Sequence, residues 1–108
     1  MTNDEVLEVV ELTMRRILEM RKVKARDYSP DEDDAFSGVR RVAVKMKLSV
    51  MRLLMVYLSK HLDAIETCVW RHDAKLELIE SVDGRIDDVI LYLCLLKAAI
   101  VEERGRGG

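Results

Sequence analysis

Residues 39–69 read VRRVAVKMKLSVMRLLMVYLSKHLDAIETCV, and apolar residues recur there every three or four positions, which predicts one long helix. The apolar residues form two strips. One strip comprises Val39, Val42, Met46, Val50, Leu53, Tyr57 and Ile65, and the other comprises Val44, Leu48, Met51 and Met55. A helix that is apolar on two faces lies at the centre of a bundle or against another subunit. The stretch therefore predicts an all-α fold and, because few other helices are available to cover it, a homo-oligomer, a dimer or larger.

A helix on each side of this stretch completes the predicted antiparallel bundle. The first begins at a cap formed by Asn3 or Asp4, and its pattern predicts a buried stripe made of Val6, Val10, Met14 and Ile17, widened by Leu7 and Leu18. The last runs from about Ala74 to Glu103, and Gly84 in its interior is compatible with a break near Ser81. Because only a short turn separates the second and third helices, we expect them to run antiparallel.

Length and composition indicate a single domain. We expect one helical domain over residues 1–103 and a flexible tail at 104–108, because the 108 residues suffice for one core and the last five are rich in glycine. The formal net charge of -2 gives no general attraction to nucleic acid or to anionic membranes. Binding of nucleic acid is a minor alternative, which would use the cations between Arg15 and Arg26.

The cysteines, the N-terminus and the lack of a long apolar run favour a cytoplasmic, reducing compartment. Cys68 and Cys94 are the two cysteines, and their spacing matches no metal site. The acidic N-terminus lacks the basic region of a secretory signal, and no apolar run reaches the roughly 20 residues that a membrane span needs. We therefore expect a cytoplasmic protein without a membrane partner.

Acidic side chains suggest a metal site. Glu80, Asp83 and Asp87 fall within an arc of roughly 60° if their segment is helical. A second pair, Asp63 and Glu66, shares one helix face, and a hairpin turning near residue 71 would bring Asp63 opposite about Glu80. Carboxylates held together repel one another unless a cation such as Mg²⁺ lies between them. We therefore predict Mg²⁺ as a cofactor, with a solvated helix flank as the plain alternative.

The same acids resemble the motif of a known family. Asp63-x-x-Glu66 and, after thirteen intervening residues, Glu80-x-x-Asp83 resemble the E-x-x-E … E-x-x-D signature of the MazG-type all-α nucleoside triphosphate pyrophosphohydrolases. The resemblance implies a MazG-like bundle in which Mg²⁺ ions bridge pyrophosphate oxygens and activate water. The implied reaction is attack of water on a nucleoside triphosphate, which releases a monophosphate and pyrophosphate.

A second resemblance extends over most of the chain after Lys24. The segments at residues 24–28 (KARDY) and 34–40 (DAFSGVR) resemble the opening of a helical family that is common in bacteriophages and associated with nucleotide metabolism. Glu80-Ser-Val-Asp83 with Asp88 and Tyr92 is similar to the closing helix of that family. The resemblance implies a viral or phage protein in the host cytoplasm.

The chain also departs from this family. Where the family carries an Asp-Lys pair in its middle helix, this chain has Leu48 and Ser49, and Gly84 replaces an Asp of the closing helix. If the ancestral site used those acids, half of it is missing. The resemblance therefore implies a diverged or inactive member.

Residues around the loop after the first helix are candidates for nucleotide binding. Tyr28 and Phe36 could stack on a base, and Arg40, Arg41 and Lys45 could hold phosphates on adjacent helical turns. The alternative is that both aromatic residues anchor the core and that the cations form a solvated face.

Two hypotheses about function follow. The first is a Mg²⁺-dependent nucleoside triphosphate pyrophosphohydrolase of viral or phage type. The second is a non-catalytic helical homo-oligomer that binds a host or viral protein, and the two-faced apolar helix together with Leu48 and Ser49 favours it.

Overall fold

The computed structural model describes the backbone of residues 1–28, 34–71 and 76–107, and the side chains of residues 1–23, 34–71 and 82–106. Within these ranges the chain forms four α-helices and no strand: α1 (Asn3–Tyr28), α2 (Ser37–Met46), α3 (Val50–Trp70) and α4 (Leu76–Gly107). The all-α bundle that the sequence predicts is confirmed. None of the described helices combines the length and the hydropathy needed to cross a bilayer.

The long helix predicted over residues 39–69 is wrong, because the chain breaks between α2 and α3. Lys47 adopts the left-handed conformation (φ 57°, ψ 40°), and its N–H donates to the Val44 carbonyl at 3.2 Å. The Leu48 N–H donates to the Ala43 carbonyl at 2.9 Å, which completes a Schellman motif. Ser49 then caps α3, since its Oγ accepts from the Arg52 N–H at 3.1 Å. Hydrogen bonding at the helix ends therefore overrides a continuous apolar pattern.

α3 and α4 form the central pair and run antiparallel. The Tyr57 and Tyr92 ring centroids are 5.9 Å apart, and His61 lies beside Asp88, one turn earlier in α4. Residue 66 of α3 is therefore level with about residue 83 of α4. The predicted register, which set Asp63 opposite Glu80, is wrong by about two turns, because α3 continues to Trp70 and α4 begins only at Leu76.

The core lies where α2, α3 and α4 meet. Phe36, Leu54 and Ala99 are buried together, and partly buried residues pack against them: Val39, Val50, Met51, Tyr92 and Leu95. Fully burying a side chain of the size of Leu or Phe contributes about 1.5–3 kcal/mol. This cluster fixes α2 against the α3–α4 pair.

α1 begins with a capping box that differs from the predicted cap. The Thr2 Oγ1 accepts from the Glu5 N–H at 3.1 Å, and the Glu5 carboxylate accepts from the Thr2 N–H at 3.4 Å. Thr2 therefore replaces Asn3 or Asp4 as the cap. The reciprocal bonds explain this choice, because only Thr2 has a glutamate three residues later in this turn.

The stripe predicted to be buried along α1 is mostly exposed. Among the described side chains of α1 (residues 3–23), Ile17 is the buried one, whereas Val6, Val10 and Met14 are each nearly half exposed. Residues 3–12 are all exposed, and partial burial begins at Thr13. The second half of α1 thus packs on the bundle, and the first half extends an apolar stripe that none of the described residues buries.

α4 continues through both places where the sequence suggests an interruption. It includes Ser81 and Gly84, and a methyl group added to Gly84 would meet no atom within 4 Å. It also runs to Gly107, so residues 104–107, expected to form a tail, are helical. Arg106 pairs with Glu102 at 3.3 Å, one turn earlier, which supports this last turn.

Candidate functional site

Asp83 and Asp87 share one arginine from another helix. Arg16 of α1 lies 3.4 Å through its Nε from Asp87 Oδ2 and 3.6 Å through an Nη from Asp83 Oδ2. Asp87 is only 6% exposed, and Asp83 faces solvent. Burial raises the pKa of Asp87, the nearby Arg16 guanidinium opposes that shift, and the neighbouring acids Asp83 and Asp88 add to it. The structure therefore brings these two predicted metal ligands together.

The arginine gives this acidic pair a structural role. A guanidinium supplies the positive charge that would otherwise have to come from a cation, and it can bridge two carboxylates. Arg16 thereby links α1 to α4 at the level where α1 begins to pack. The side chain of Glu80, the third acid of the predicted group, lies outside the described residues.

Asp63 and Glu66 lie on a different surface. Both are exposed on α3, where they line a groove of about 550 Å³ with Thr67, Trp70 and Arg71. Among the side chains that the structure describes, no three His, Cys, Asp or Glu residues come together as metal ligands. The predicted ligands thus divide between the α3 groove and the Arg16 contact.

The candidate nucleotide-binding residues also lie in different environments. Phe36 is buried in the core, and the side chain of Tyr28 lies outside the described residues. Arg40 donates to the Asp34 carboxylate at 3.1 Å and to Glu102 at 3.4 Å, which joins the start of α2 to α4. The hydrogen bond from Arg40, followed by that from the Phe36 N–H, lowers the pKa of Asp34, and the hydrogen bonds to Asp34 and Glu102 raise the pKa of Arg40.

Arg41 and Lys45 remain accessible. They are exposed one turn apart on α2, so they share a face that Arg40 does not occupy. Among the five predicted binding residues, Arg41 and Lys45 are therefore the two exposed cations. In the described structure they neither pack in the core nor join two helices.

A polar cluster that the sequence did not reveal lies between α3 and α4. The His61 ring stacks on Tyr92 with centroids 5.3 Å apart, and its Nδ1 lies 4.0 Å from Asp88 Oδ2 and 3.4 Å from Arg85 Nη1. Burial raises the pKa of Tyr92, and the nearby Asp88 and Tyr57 add to the shift. Arg85 donates to this nitrogen only in the tautomer that leaves Nδ1 without a proton, whereas a protonated Nδ1 can donate toward Asp88.

The signal for this cluster is present in the sequence but depends on the register. Tyr57 and His61 are one turn apart on α3, and Asp88 and Tyr92 are one turn apart on α4. Either pair alone looks like a partly exposed helix flank. With the hairpin turn set near residue 71, the two pairs do not meet, and His61 is expected to be a solvent-exposed residue near the turn.

Comparisons with protein-family models, with curated proteins and with solved structures found no match to this chain. The resemblance to MazG-type and phage families therefore rests on the sequence motifs.

Proposed function

We propose that this protein functions by assembly: it self-associates and binds another protein through apolar helix surfaces. The single observation that carries the proposal is the first half of α1. Every residue from 3 to 12 is exposed, and five of these ten are apolar: Val6, Leu7, Val9, Val10 and Leu12. Exposed apolar surface of this extent on one element is typical of an interaction site, because a partner removes it from water.

The position of α1 supports the proposal. Arg16 pairs with Asp83 and Asp87, and Ile17 is buried, so the second half of α1 is held against the bundle. The first half continues the same helix, and a helix is stiff over such a length. Its apolar residues are therefore presented in a defined arrangement rather than on a disordered end.

Exposed apolar residues outside α1 are available for a different partner. Val44 and Met46 at the end of α2 and Met55 and Val56 in α3 are all substantially exposed. They lie on either side of the break at Lys47, on helices other than α1. One surface for self-association and another for a partner would account for the high apolar content of so small a chain.

The test is the mass of the protein in solution, measured by sedimentation velocity over a wide range of concentration. We expect a dimer or larger species that dissociates on dilution. Val10→Ser should favour the monomer, because a hydroxyl group would replace apolar contact in the interface. The matched control is Val44→Ser, an equal change at an exposed valine of α2, which should leave the mass unchanged. A wild-type monomer at every concentration would contradict the proposal.

A second candidate function is Mg²⁺-assisted hydrolysis of a nucleoside triphosphate, and the α3 groove favours it. Trp70 is 77% exposed, and it lines the groove together with Arg71 and the carboxylates of Asp63 and Glu66. An exposed indole can stack on a base, an arginine can bind phosphate, and carboxylates can hold Mg²⁺. The groove therefore has the groups that a nucleotide requires.

Release of pyrophosphate from deoxynucleoside triphosphates in the presence of Mg²⁺ tests this candidate. If the groove carries the activity, Glu66→Gln and Trp70→Ala should abolish it, whereas Asp83→Asn should leave it intact because Asp83 contacts Arg16. Loss of activity in Asp83→Asn alone would instead favour the acids of α4. No release of pyrophosphate from any nucleotide would eliminate this candidate.

A further inference from the structure

The charges of α1 are separated along its length. Residues 3–12 contain four acids and no Lys or Arg, whereas residues 13–24 contain five cations and a single acid. The favourable interaction of acids with a helix N-terminus accounts for Asp4 and Glu5, but it weakens beyond the first turn. Glu8 and Glu11 lie further along the helix and need another explanation.

An exposed apolar stripe runs along the same helix and crosses from the acidic half to the basic half. Leu7, Val10, Met14 and Leu18 lie within an arc of roughly 80° on a helix of 3.6 residues per turn, and each is between 46% and 63% exposed. Arg16, which pairs with Asp87 of α4, lies roughly 160° from the middle of this stripe, and the buried Ile17 adjoins its Val10 edge. The stripe is therefore available while α1 keeps its contacts with the bundle.

Charged residues follow one edge of this stripe. Asp4, Glu11, Arg15 and Lys22 fall within roughly 40° of one another, directly beside Leu7 and Leu18. Arg15 pairs with Glu11 at 2.7 Å within α1, and both side chains are largely exposed. Exposed pairs of this kind contribute little, so they can exchange for pairs with another helix.

We propose that two copies of this chain associate by antiparallel pairing of their α1 helices through the stripe Leu7, Val10, Met14 and Leu18. The inference rests on the proposed self-association and specifies its geometry. A parallel pair would oppose acids to acids and cations to cations, whereas an antiparallel pair opposes the acidic half of each helix to the basic half of the other. The helix dipoles also favour the antiparallel arrangement.

Matching the stripe and the charged edge between the two copies sets the register of this twofold pair. With Leu7 of one copy against Leu18 of the second, Asp4 lies beside Lys22 of the second copy and Glu11 lies beside Arg15 of the second copy. Because a twofold interface repeats each contact, the two kinds of ion pair occur twice. The charge pattern of α1 is thus complementary to itself only when one copy is reversed.

A charge-swap experiment with the full-length chain tests the pairing. The acidic edge is made basic in Asp4→Lys/Glu11→Lys, and the basic edge is made acidic in Arg15→Glu/Lys22→Glu. Each variant alone should self-associate about tenfold or more weakly than the wild type, because like charges then face each other along the whole seam. Mixed in equal amounts, the two variants should form a heterodimer of wild-type affinity.

The matched control is Arg41→Glu/Lys45→Glu, which makes the same change of charge at exposed cations of α2 and should leave self-association unchanged. Circular dichroism establishes that each variant retains its helix content. If both α1 variants dimerise like the wild type, the pairing is wrong while self-association stands. If the wild type is a monomer, both proposals fall.

Cross-linking separates the antiparallel from the parallel arrangement. In a background of Cys68→Ser and Cys94→Ser, Leu7→Cys mixed with Leu18→Cys should form a disulfide-linked dimer on oxidation. Leu7→Cys alone should not, because the two copies of position 7 would be about 16 Å apart along the helix axis. The reverse result, a disulfide formed by Leu7→Cys alone, would overturn the antiparallel pairing.

Discussion

Leu54 in α3 and Leu7 in α1 are the same residue type in long helices, yet Leu54 is 1% exposed and Leu7 is 63% exposed. Leu54 belongs to the core cluster with Phe36 and Ala99, where α2, α3 and α4 meet. Leu7 belongs to a helical half that no other described element covers. The difference indicates that the apolar pattern of a helix predicts that a surface will be buried. The pattern does not predict whether the same chain or a partner buries that surface.

The two regions also use charge differently. At the packed end, Arg40 is held by Asp34 and Glu102, so its charge joins α2 to α4. In the first half of α1, the acids face solvent, and Glu11 pairs with Arg15 of the same helix. Charge therefore joins helices in the packed region. Under the antiparallel pairing proposed above, the charges of α1 select its partner.

Truncation of the two leucines should give the largest contrast. Leu54→Ala should lower the free energy of unfolding by about 2–5 kcal/mol, because it removes buried contacts and leaves a cavity. Leu7→Ala should leave the unfolding of the monomer nearly unchanged and should weaken self-association instead. Urea denaturation at low and high protein concentration measures both effects. A large loss in Leu7→Ala at concentrations where the protein is a monomer would show that its own chain covers α1.

Substitution of Asp87, which lies where α1 contacts α4, should change the free energy of unfolding by a smaller amount. The size of this change should depend on pH. Because burial raises its pKa above the ordinary value of 3.8, the folded state holds this proton more tightly than the unfolded state. Its contribution to stability is therefore fully present below the ordinary pKa and is lost as the pH rises through the raised pKa. A tenfold difference in proton affinity between the folded and unfolded states corresponds to about 1.4 kcal/mol.

The variant Asp87→Asn should lack this loss, so its stability relative to the wild type should improve between pH 4 and pH 7, where urea denaturation can follow it. Asp83→Asn is the matched comparison, because Asp83 also contacts Arg16 but faces solvent and only adds to the raised pKa of Asp87, so this variant should reduce the pH-dependent loss without abolishing it. If Asp87→Asn is less stable than the wild type at pH 7, the ion pair with Arg16 outweighs the cost of burial.

Substitution of Gly84 should change the free energy of unfolding least, and it should raise this free energy rather than lower it. It lies inside α4, and an added methyl group meets no atom within 4 Å. Gly84→Ala should therefore raise the free energy of unfolding by about 0.5–1 kcal/mol, because alanine loses less backbone entropy in a helix. Thermal unfolding followed by circular dichroism measures the gain. Destabilisation would show that a partner or a neighbouring segment approaches α4 at this position.

The sequence predicted the helices well and their ends poorly. The all-α bundle followed from apolar spacing, which is a property of local sequence. The break at Lys47 did not, because a lysine in the left-handed conformation has no sequence signature comparable to glycine, and the Schellman bonds that hold it join backbone groups. The capping box of Thr2 and Glu5 was recognisable from its spacing.

The prediction of the candidate site was also limited, because its contacts join residues that are distant in the sequence. The grouping of Asp83 with Asp87 follows from helical spacing alone. That Arg16 lies between them does not, since it comes from a helix more than sixty residues earlier in the chain. The cluster of His61, Asp88 and Tyr92 was missed for a related reason, because it depends on the register of the hairpin.

By itself, the sequence determined that this chain is helical, that its acids form groups along helix faces, and that α1 carries an apolar stripe with charges of opposite sign at its two ends. Only the tertiary structure decided which apolar surfaces are covered, which acids meet an arginine, and which residues of α3 and α4 are level. The physical reason is that spacing along a helix is fixed by its backbone hydrogen bonds, whereas the register and packing between helices depend on contacts distant in sequence.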